Sequence, residues 1–393
     1  MILDNLKHSE KYPYSFILFY SLLYMGFAVF SVFMPVYLDE LGYDNTDIGT
    51  LLSISSFVGL FAQPMWGVIS DRAKAKNNVL KTLVLFSSLG TLLFGISGNY
   101  YYIFAVMVVY AFFQTPIVPI GDAITLEYIT ATRWKYGPIR LAGTLGYAVM
   151  AVLAGVLTKK NVNGIFLICF VMGIMTFLTI FRMPTVKGHQ SNQNKLSILE
   201  LFKNRELVLL IGLTIAVHTS IGFYNSFFSI YYKSMGADNT IIGWAIFIAS
   251  ISEVLFLIIG DGIIKRLGIK LTLFGAAFVS IIRWAAFGLV DNIYVILALQ
   301  ILHGFTFIVL AYSMSIYINN EVPSELKASG QTINAVVGVG LSKIIGSIGG
   351  GALSDFIGIR QVFFANALII LVWIVVFGAI FFVRSKREKL ARM

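Results

Sequence analysis

The chain is divided into apolar runs about as long as a bilayer is thick. A helix rising about 1.5 Å per residue needs about 20 residues to cross the hydrocarbon core. Runs of that size occur at 14–38, 47–70, 79–98, 102–129, 138–158, 164–182, 207–232, 240–264, 271–290, 293–319, 328–352 and 361–383. Backbone polar groups in lipid must be bonded within their own segment, so long apolar runs become helices. The expectation is an all-α membrane protein of twelve spans. Composition agrees: 58% of the 393 residues are hydrophobic and only 12% are charged, against about 25% charged in soluble domains.

The net charge of +10 would suit a nucleic-acid partner, but its distribution argues for a lipid bilayer instead. With an even number of spans, both ends lie on one side. The loops on that side then carry most of the 29 Lys and Arg, among them Arg72, Lys74 and Lys76 after the second run and Arg384, Lys386 and Arg387 after the last. The opposite loops carry only Lys159, Lys160, Lys233 and Arg360. Lys and Arg accumulate on the cytoplasmic side, so both termini are expected in the cytoplasm. Residues 1–13 are polar and precede a run long enough to span, so no cleavable signal peptide is expected. One cysteine, Cys169, allows no intrachain disulfide, and neither metal-ligand spacing nor a cofactor motif is evident. No metal or cofactor is therefore expected, and no loop carries a nucleophile–base–acid set that would make the chain an enzyme.

The halves repeat. Gly42-Tyr-Asp-Asn-Thr-Asp-Ile-Gly49 returns as Gly236-Ala-Asp-Asn-Thr-Ile-Ile-Gly243, matching at six of eight positions, each at the start of the second span of its half. The Asn-Thr pair in each copy is expected to cap the helix that follows. Parallel repeats of this kind build transporters. The domains expected are an N-terminal six-helix bundle over 1–182, a cytoplasmic linker over 183–206 and a C-terminal six-helix bundle over 207–393 with a short basic tail.

Charges at membrane depth are costly and mark functional sites. Asp122 follows Pro116 and Pro119 on the fourth run, where the prolines weaken the helical ladder. Arg140 follows Gly137-Pro138 on the fifth. Consecutive runs make antiparallel neighbours, so Asp122 and Arg140 can meet, either as one wall of a substrate cavity or as an ion pair that only fixes packing. Glu253 lies thirteen residues past Thr240, about 20 Å along its helix. A carboxyl at that depth can shuttle a proton, and His303 is the other group suited to doing so. A static pairing of Glu253 with Arg283 or Lys343 is the alternative. Lys343 stands on a glycine-rich run in which Gly346-x-x-x-Gly350 suits close helix packing. Three cations (Arg140, Arg283, Lys343) against two acids (Asp122, Glu253) favour an anionic substrate, and arginine suits carboxylates.

Gly67-Val-Ile-Ser-Asp71-Arg72, between the second and third runs, has the G-x-x-x-D-R form of the gating turn in the major facilitator superfamily, which twelve spans in two halves also resemble. Lys74 and Lys76 follow without the further glycine usual there. Pro116-x-x-Pro119-x-x-Asp122, Tyr136-Gly-Pro-Ile-Arg140 through Tyr147, Ser252-Glu253-Val254, Ile282-Arg283-Trp284 and Gln300-Ile-Leu-His303-Gly-Phe-Thr306 resemble the phenylpropionate permease group, which is similar to lactose permease. The resemblance implies substrate binding by Asp122, Arg140, Tyr147 and Arg283, and proton coupling by Glu253 and His303. Tyr20 and Tyr24 on the first run are further candidates. Thr306 stands where lactose permease has a proton-releasing acid, and Gly222 where it has an acid partner for the lysine matched by Lys343.

These features predict a proton-coupled symporter of a small organic carboxylate in the bacterial cytoplasmic membrane, acting as a monomer with protons and a small molecule as its partners. The alternatives are a sugar or nucleoside symporter and an efflux antiporter. A membrane sensor would add a soluble output domain, and the loops have no room for one.

Overall fold

The computed structural model describes residues 13–130, 132–187, 204–323 and 326–390. Most of the expected linker and the residues flanking the chain ends lie outside the described residues. The helices are α1 (Tyr14–Glu40), α2 (Asn45–Arg72), α3 (Lys76–Leu93), α4 (Tyr100–Gln114), α5 (Ile117–Ile129), α6 (Tyr136–Leu157), α7 (Gly164–Ile180), α8 (Arg205–Ser234), α9 (Asn239–Leu289), α10 (Ile293–Leu299), α11 (Phe307–Glu321), α12 (Lys327–Ile333), α13 (Ser342–Ile357) and α14 (Ile359–Leu390). Nine helical stretches among the described residues are long and apolar enough to cross a membrane. One of these, α9, is two segments joined at Gly268, whose φ of 76° breaks the helix. With the shorter α3 and α7, each of the twelve expected segments is helical. The protein is a multi-pass, all-helical membrane protein.

Three segments depart from a plain helix where the sequence gives reason. The fourth run divides at Thr115-Pro116, α4 ending and α5 beginning there, as the missing Pro amide requires. The tenth run passes from α10 through a 3-10 turn, Gln300–Phe305, into α11. The eleventh contains a π-helix, Asn334–Leu341, between α12 and α13.

The chain packs as two compact units. The first contains most of α1–α7 together with Ala237–Ser250. The second contains Asp44–Thr50, α8, the remainder of α9 and α10–α14. Within the first unit α1 is central and packs on α6 and α7. Gly146 permits the α1–α6 approach, since a Cβ there would stand 2.6 Å from the Ser21 carbonyl oxygen. Within the second unit α8 is central and packs on α13 and α14. A Cβ on Gly346 would stand 2.1 Å from the Thr219 carbonyl oxygen, and one on Gly350 2.3 Å from the Phe223 ring. The Gly346-x-x-x-Gly350 stripe is thus a close-packing face, set against α8 backbone at Gly346 and against the Phe223 ring at Gly350.

The repeated octapeptide is a turn followed by a helix start in both copies. Gly42 and Gly236 take φ values of 82° and 94°, a left-handed conformation that glycine adopts without strain. The caps differ from expectation by one residue. Asp44 Oδ1 accepts the Asp47 amide at 2.8 Å, and Asp238 Oδ1 accepts the Ile241 amide at 2.9 Å. Asn45 and Asn239 therefore begin the helices and their side chains serve neighbouring elements. The Asn45 and Thr46 amides and side chains donate to the Asp355 carboxylate. The Asn239 amide nitrogen donates to the Thr158 carbonyl at 3.0 Å.

Candidate functional site: two clusters of buried polar side chains

In the first unit the polar cluster is organised by α1. Tyr20 Oη donates to Asp122 Oδ1 at 2.6 Å and lies 3.1 Å from Thr125 Oγ1. Arg140 Nη2 donates to Tyr24 Oη, and its guanidinium carbon lies 3.9 Å from the Tyr24 ring centroid. Asp122 and Arg140 are not an ion pair: each is held by a different tyrosine, one helical turn apart on α1. The sequence left open whether these two charges meet as one wall of a substrate cavity or as an ion pair, because nothing in their own hairpin shows which face of α1 packs there. Tyr147, seven residues past Arg140 on α6, shares a hydrogen bond with Ser31 of α1 at 2.8 Å. The cluster offers a carboxylate, a guanidinium and phenol hydroxyls, all half-buried or buried, which can bind a polar solute by paired donors and acceptors.

In the second unit Glu253, Arg283 and His303 meet. Arg283 is 0% exposed and so needs its donors satisfied. Nη1 lies 2.8 Å from His303 Nδ1, and Nη2 donates to Gln300 Oε1 at 2.7 Å. The same Gln300 oxygen accepts from Tyr224 Oη at 3.0 Å. The guanidinium also lies 4.4 Å from the Tyr224 ring centroid. Arginine can only donate, so His303 Nδ1 accepts and Nε2 carries the hydrogen. That Nε2 stands 3.2 Å from Glu253 Oε1. The result is a chain of contacts from a guanidinium through a neutral imidazole to a carboxylate.

Backbone packing places this chain. A Cβ on Gly304 would stand 2.1 Å from the Ser252 carbonyl oxygen, and the Gly304 amide donates to Ser252 Oγ at 2.8 Å. The 3-10 turn carrying His303 is thus pressed onto α9 beside Glu253. Thr306 Oγ1 donates to the His303 carbonyl at 2.7 Å, a carbonyl that the change of helix type leaves without its α-helical partner. Thr306 caps the turn. His218 is buried on α8 at 3% exposure.

At the turn containing Gly67, Asp71 and Arg72, Lys76 is the organising residue, and its part in the turn was not expected. It is 7% exposed, pairs with Asp71 Oδ1 at 3.5 Å and with Glu127 Oε2 of α5 at 3.1 Å. Its amide donates to the Val186 carbonyl at 2.8 Å. A Cβ at Gly67 would meet nothing within 4 Å. In the second unit Asp261 accepts from Tyr312 Oη at 2.5 Å. Outside the spans, Lys159 Nζ at 2.8 Å and the Ile241 amide hold the Asp238 carboxyl below the usual carboxylate range.

Comparison with known proteins gives the same architecture. The maltose permease of Geobacillus stearothermophilus is 26% identical over 381 residues, covering 96% of this chain and 95% of that one. The probable 3-phenylpropionic acid transporter of Escherichia coli (strain K12) is 24% identical over 363 residues, covering 90% and 93%. The crystal structure of the nucleoside transporter NupG superposes with a TM-score of 0.84 at 19% identity, covering 94% of this chain and 98% of that one. The MFS_1 like family matches residues 14–365. The chain belongs to that family, within the major facilitator superfamily of transporters, and is not an enzyme.

Proposed function

We propose that the chain is a proton-coupled importer of a small organic carboxylate, working by alternating access in the bacterial cytoplasmic membrane with both termini in the cytoplasm. The observation that carries this reading is the Arg283–His303–Glu253 chain. It lies about 20 Å along α9, where a static charge would be costly and a proton carrier is useful. With Nδ1 occupied by Arg283 and Nε2–H facing Glu253, the carboxylate is the end of the chain that takes up a proton. Arg283, enclosed and bonded through Nη1 and Nη2, holds this relay and does not touch substrate. Asp122 and Arg140, each on its tyrosine, bind the solute, with Tyr147 beside them. One proton moving with one carboxylate monoanion carries no net charge, so the pH gradient drives accumulation, about tenfold or about 1.4 kcal/mol per pH unit.

The test is proton movement caused by solute. Adding a small aromatic acid to lightly buffered proteoliposomes should make the medium more alkaline by symport. Acidification would mean antiport and overturn the direction. No pH change with demonstrable uptake would overturn coupling itself. A second reading, a sugar or nucleoside symporter, is favoured by the phenol-rich cluster around Asp122, which suits hydroxyl groups, and by the similarity to a maltose permease and a nucleoside transporter. Alkalinisation by a sugar or nucleoside and none by acids would select it.

A further inference from the structure

Of the three cations Arg140, Arg283 and Lys343, two are engaged. Arg140 is bonded to and stacked on Tyr24. Arg283 is bonded to His303 and Gln300 and stacked on Tyr224. Lys343, in the first turn of α13, has neither a hydrogen bond nor an ion pair among the described residues. It is half-buried. Thirteen residues separate it from Gly330 and fourteen from Ile357, the ends of its apolar stretch. That is about 20 Å from each end, too far for a lysine side chain to reach the interface.

The fold leaves no room for an acid of its own at this point. A Cβ on Gly222 would stand 2.7 Å from Lys343 Cα, so α8 meets Lys343 with bare backbone. Three acids of the second unit are engaged elsewhere: Glu253 with His303, Asp261 with Tyr312 and Asp355 with Asn45 and Thr46. A charge at this depth requires a partner or water. The π-helix Asn334–Leu341 ends two residues earlier, and such irregular segments recur at functional sites.

We propose that Lys343 is the residue that reads the substrate's charge, and that its partner is a single carboxylate. The inference rests on the carboxylate reading above and assigns it to one side chain. In the second unit Arg283 and ionised Glu253 balance each other, so Lys343 leaves one positive charge over in that state and protonation of Glu253 adds to the excess. A monoanion neutralises that charge. A neutral sugar would leave it unpaired. Lysine also suits the task because its ammonium is a compact point charge on a flexible stem.

The experiment measures binding of 3-phenylpropionate and of its uncharged amide to purified full-length protein, for wild type, Lys343→Gln and Lys343→Arg. The wild type is expected to prefer the acid at least tenfold. Lys343→Gln is expected to lose that preference by weakening acid binding alone, its unchanged amide binding also showing that the site is folded. Lys343→Arg is expected to keep the preference. A preference that survives in Lys343→Gln overturns this inference and leaves the carboxylate reading standing. A wild type that prefers the amide, or binds neither probe while binding a sugar or nucleoside, overturns both. If Lys343→Gln does not fold, Lys343→Arg decides: loss of acid preference with amide binding intact contradicts a requirement for charge alone.

Discussion

Arg283 donates to His303 Nδ1 at 2.8 Å, and this contact turns the imidazole so that Nε2 faces Glu253 Oε1 at 3.2 Å. The histidine's tautomer is set by a residue that can only donate. His303 therefore positions Glu253 and connects it to a fixed positive charge.

Arg283→Lys tests that arrangement. One ammonium cannot reach both His303 and Gln300 in the geometry of a planar fork, and it loses the flat face against Tyr224. A buried acceptor is left unpaired, at a cost of about 2 kcal/mol. Thermal unfolding should show the loss, and proton-linked uptake should fall while substrate-driven exchange persists. Full coupling in Arg283→Lys would remove the guanidinium from the relay.

Tyr20→Phe and Tyr24→Phe separate the two charges of the first unit. Tyr20→Phe removes the 2.6 Å donor to Asp122. A hydrogen bond to a charged group contributes about 1.5–3 kcal/mol, so substrate affinity is expected to fall at least tenfold. Tyr24→Phe frees the Arg140 guanidinium and should alter affinity with little change in fold. Titration of each variant with substrate reads both effects. Unaltered affinity in a folded Tyr20→Phe protein would place Asp122 outside the binding site.

Two glycines differ in what they leave room for. Gly346→Ala drives a methyl into the Thr219 carbonyl and should destabilise the second unit by about 1–3 kcal/mol, the usual cost of overpacking. Gly67→Ala meets open space inside α2, so its melting temperature should match or slightly exceed wild type. A slower transport cycle in that variant would assign Gly67 to the gating turn, and an unchanged cycle would remove it.

Asp238 gives a pH dependence outside the membrane. Its carboxyl is held below the ordinary value of 3.8 by Lys159 and the Ile241 amide. A depressed acid stabilises the fold fully above its unfolded value and loses that contribution as pH falls through the folded one. Stability should therefore decline slightly below about pH 4, and Asp238→Asn should abolish that part of the decline. The Lys159 pair is exposed, so the effect should stay below about 1 kcal/mol. Melting temperatures from pH 3 to 6 measure it.

Much of this was readable in the sequence because apolar length and glycine spacing are local signals. The segments, the proline break before Asp122 and the contact face of Gly346 and Gly350 all follow from neighbours a few residues apart. What could not be read was partnership across the fold. Tyr20 and Asp122 are 102 positions apart, and Arg140 and Tyr24 are 116 apart, so the hairpin alone showed neither tyrosine. The cap at Asp44 was displaced to Asn45 because both residue types cap helices and only backbone geometry distinguishes them. Lys76 looked like one more loop cation until α3 brought it against Glu127. That α8 meets Lys343 with the bare backbone of Gly222 depends on a contact between distant positions.

In the proposed function, Glu253 couples the proton to uphill movement of solute. The direct measurement is radiolabelled acid uptake into proteoliposomes by Glu253→Gln, driven either by a pH gradient or by counterflow against preloaded solute. The account predicts that accumulation under the pH gradient is lost while counterflow proceeds at near wild-type rate, since exchange needs no net proton release. Uphill accumulation equal to wild type in Glu253→Gln would contradict it.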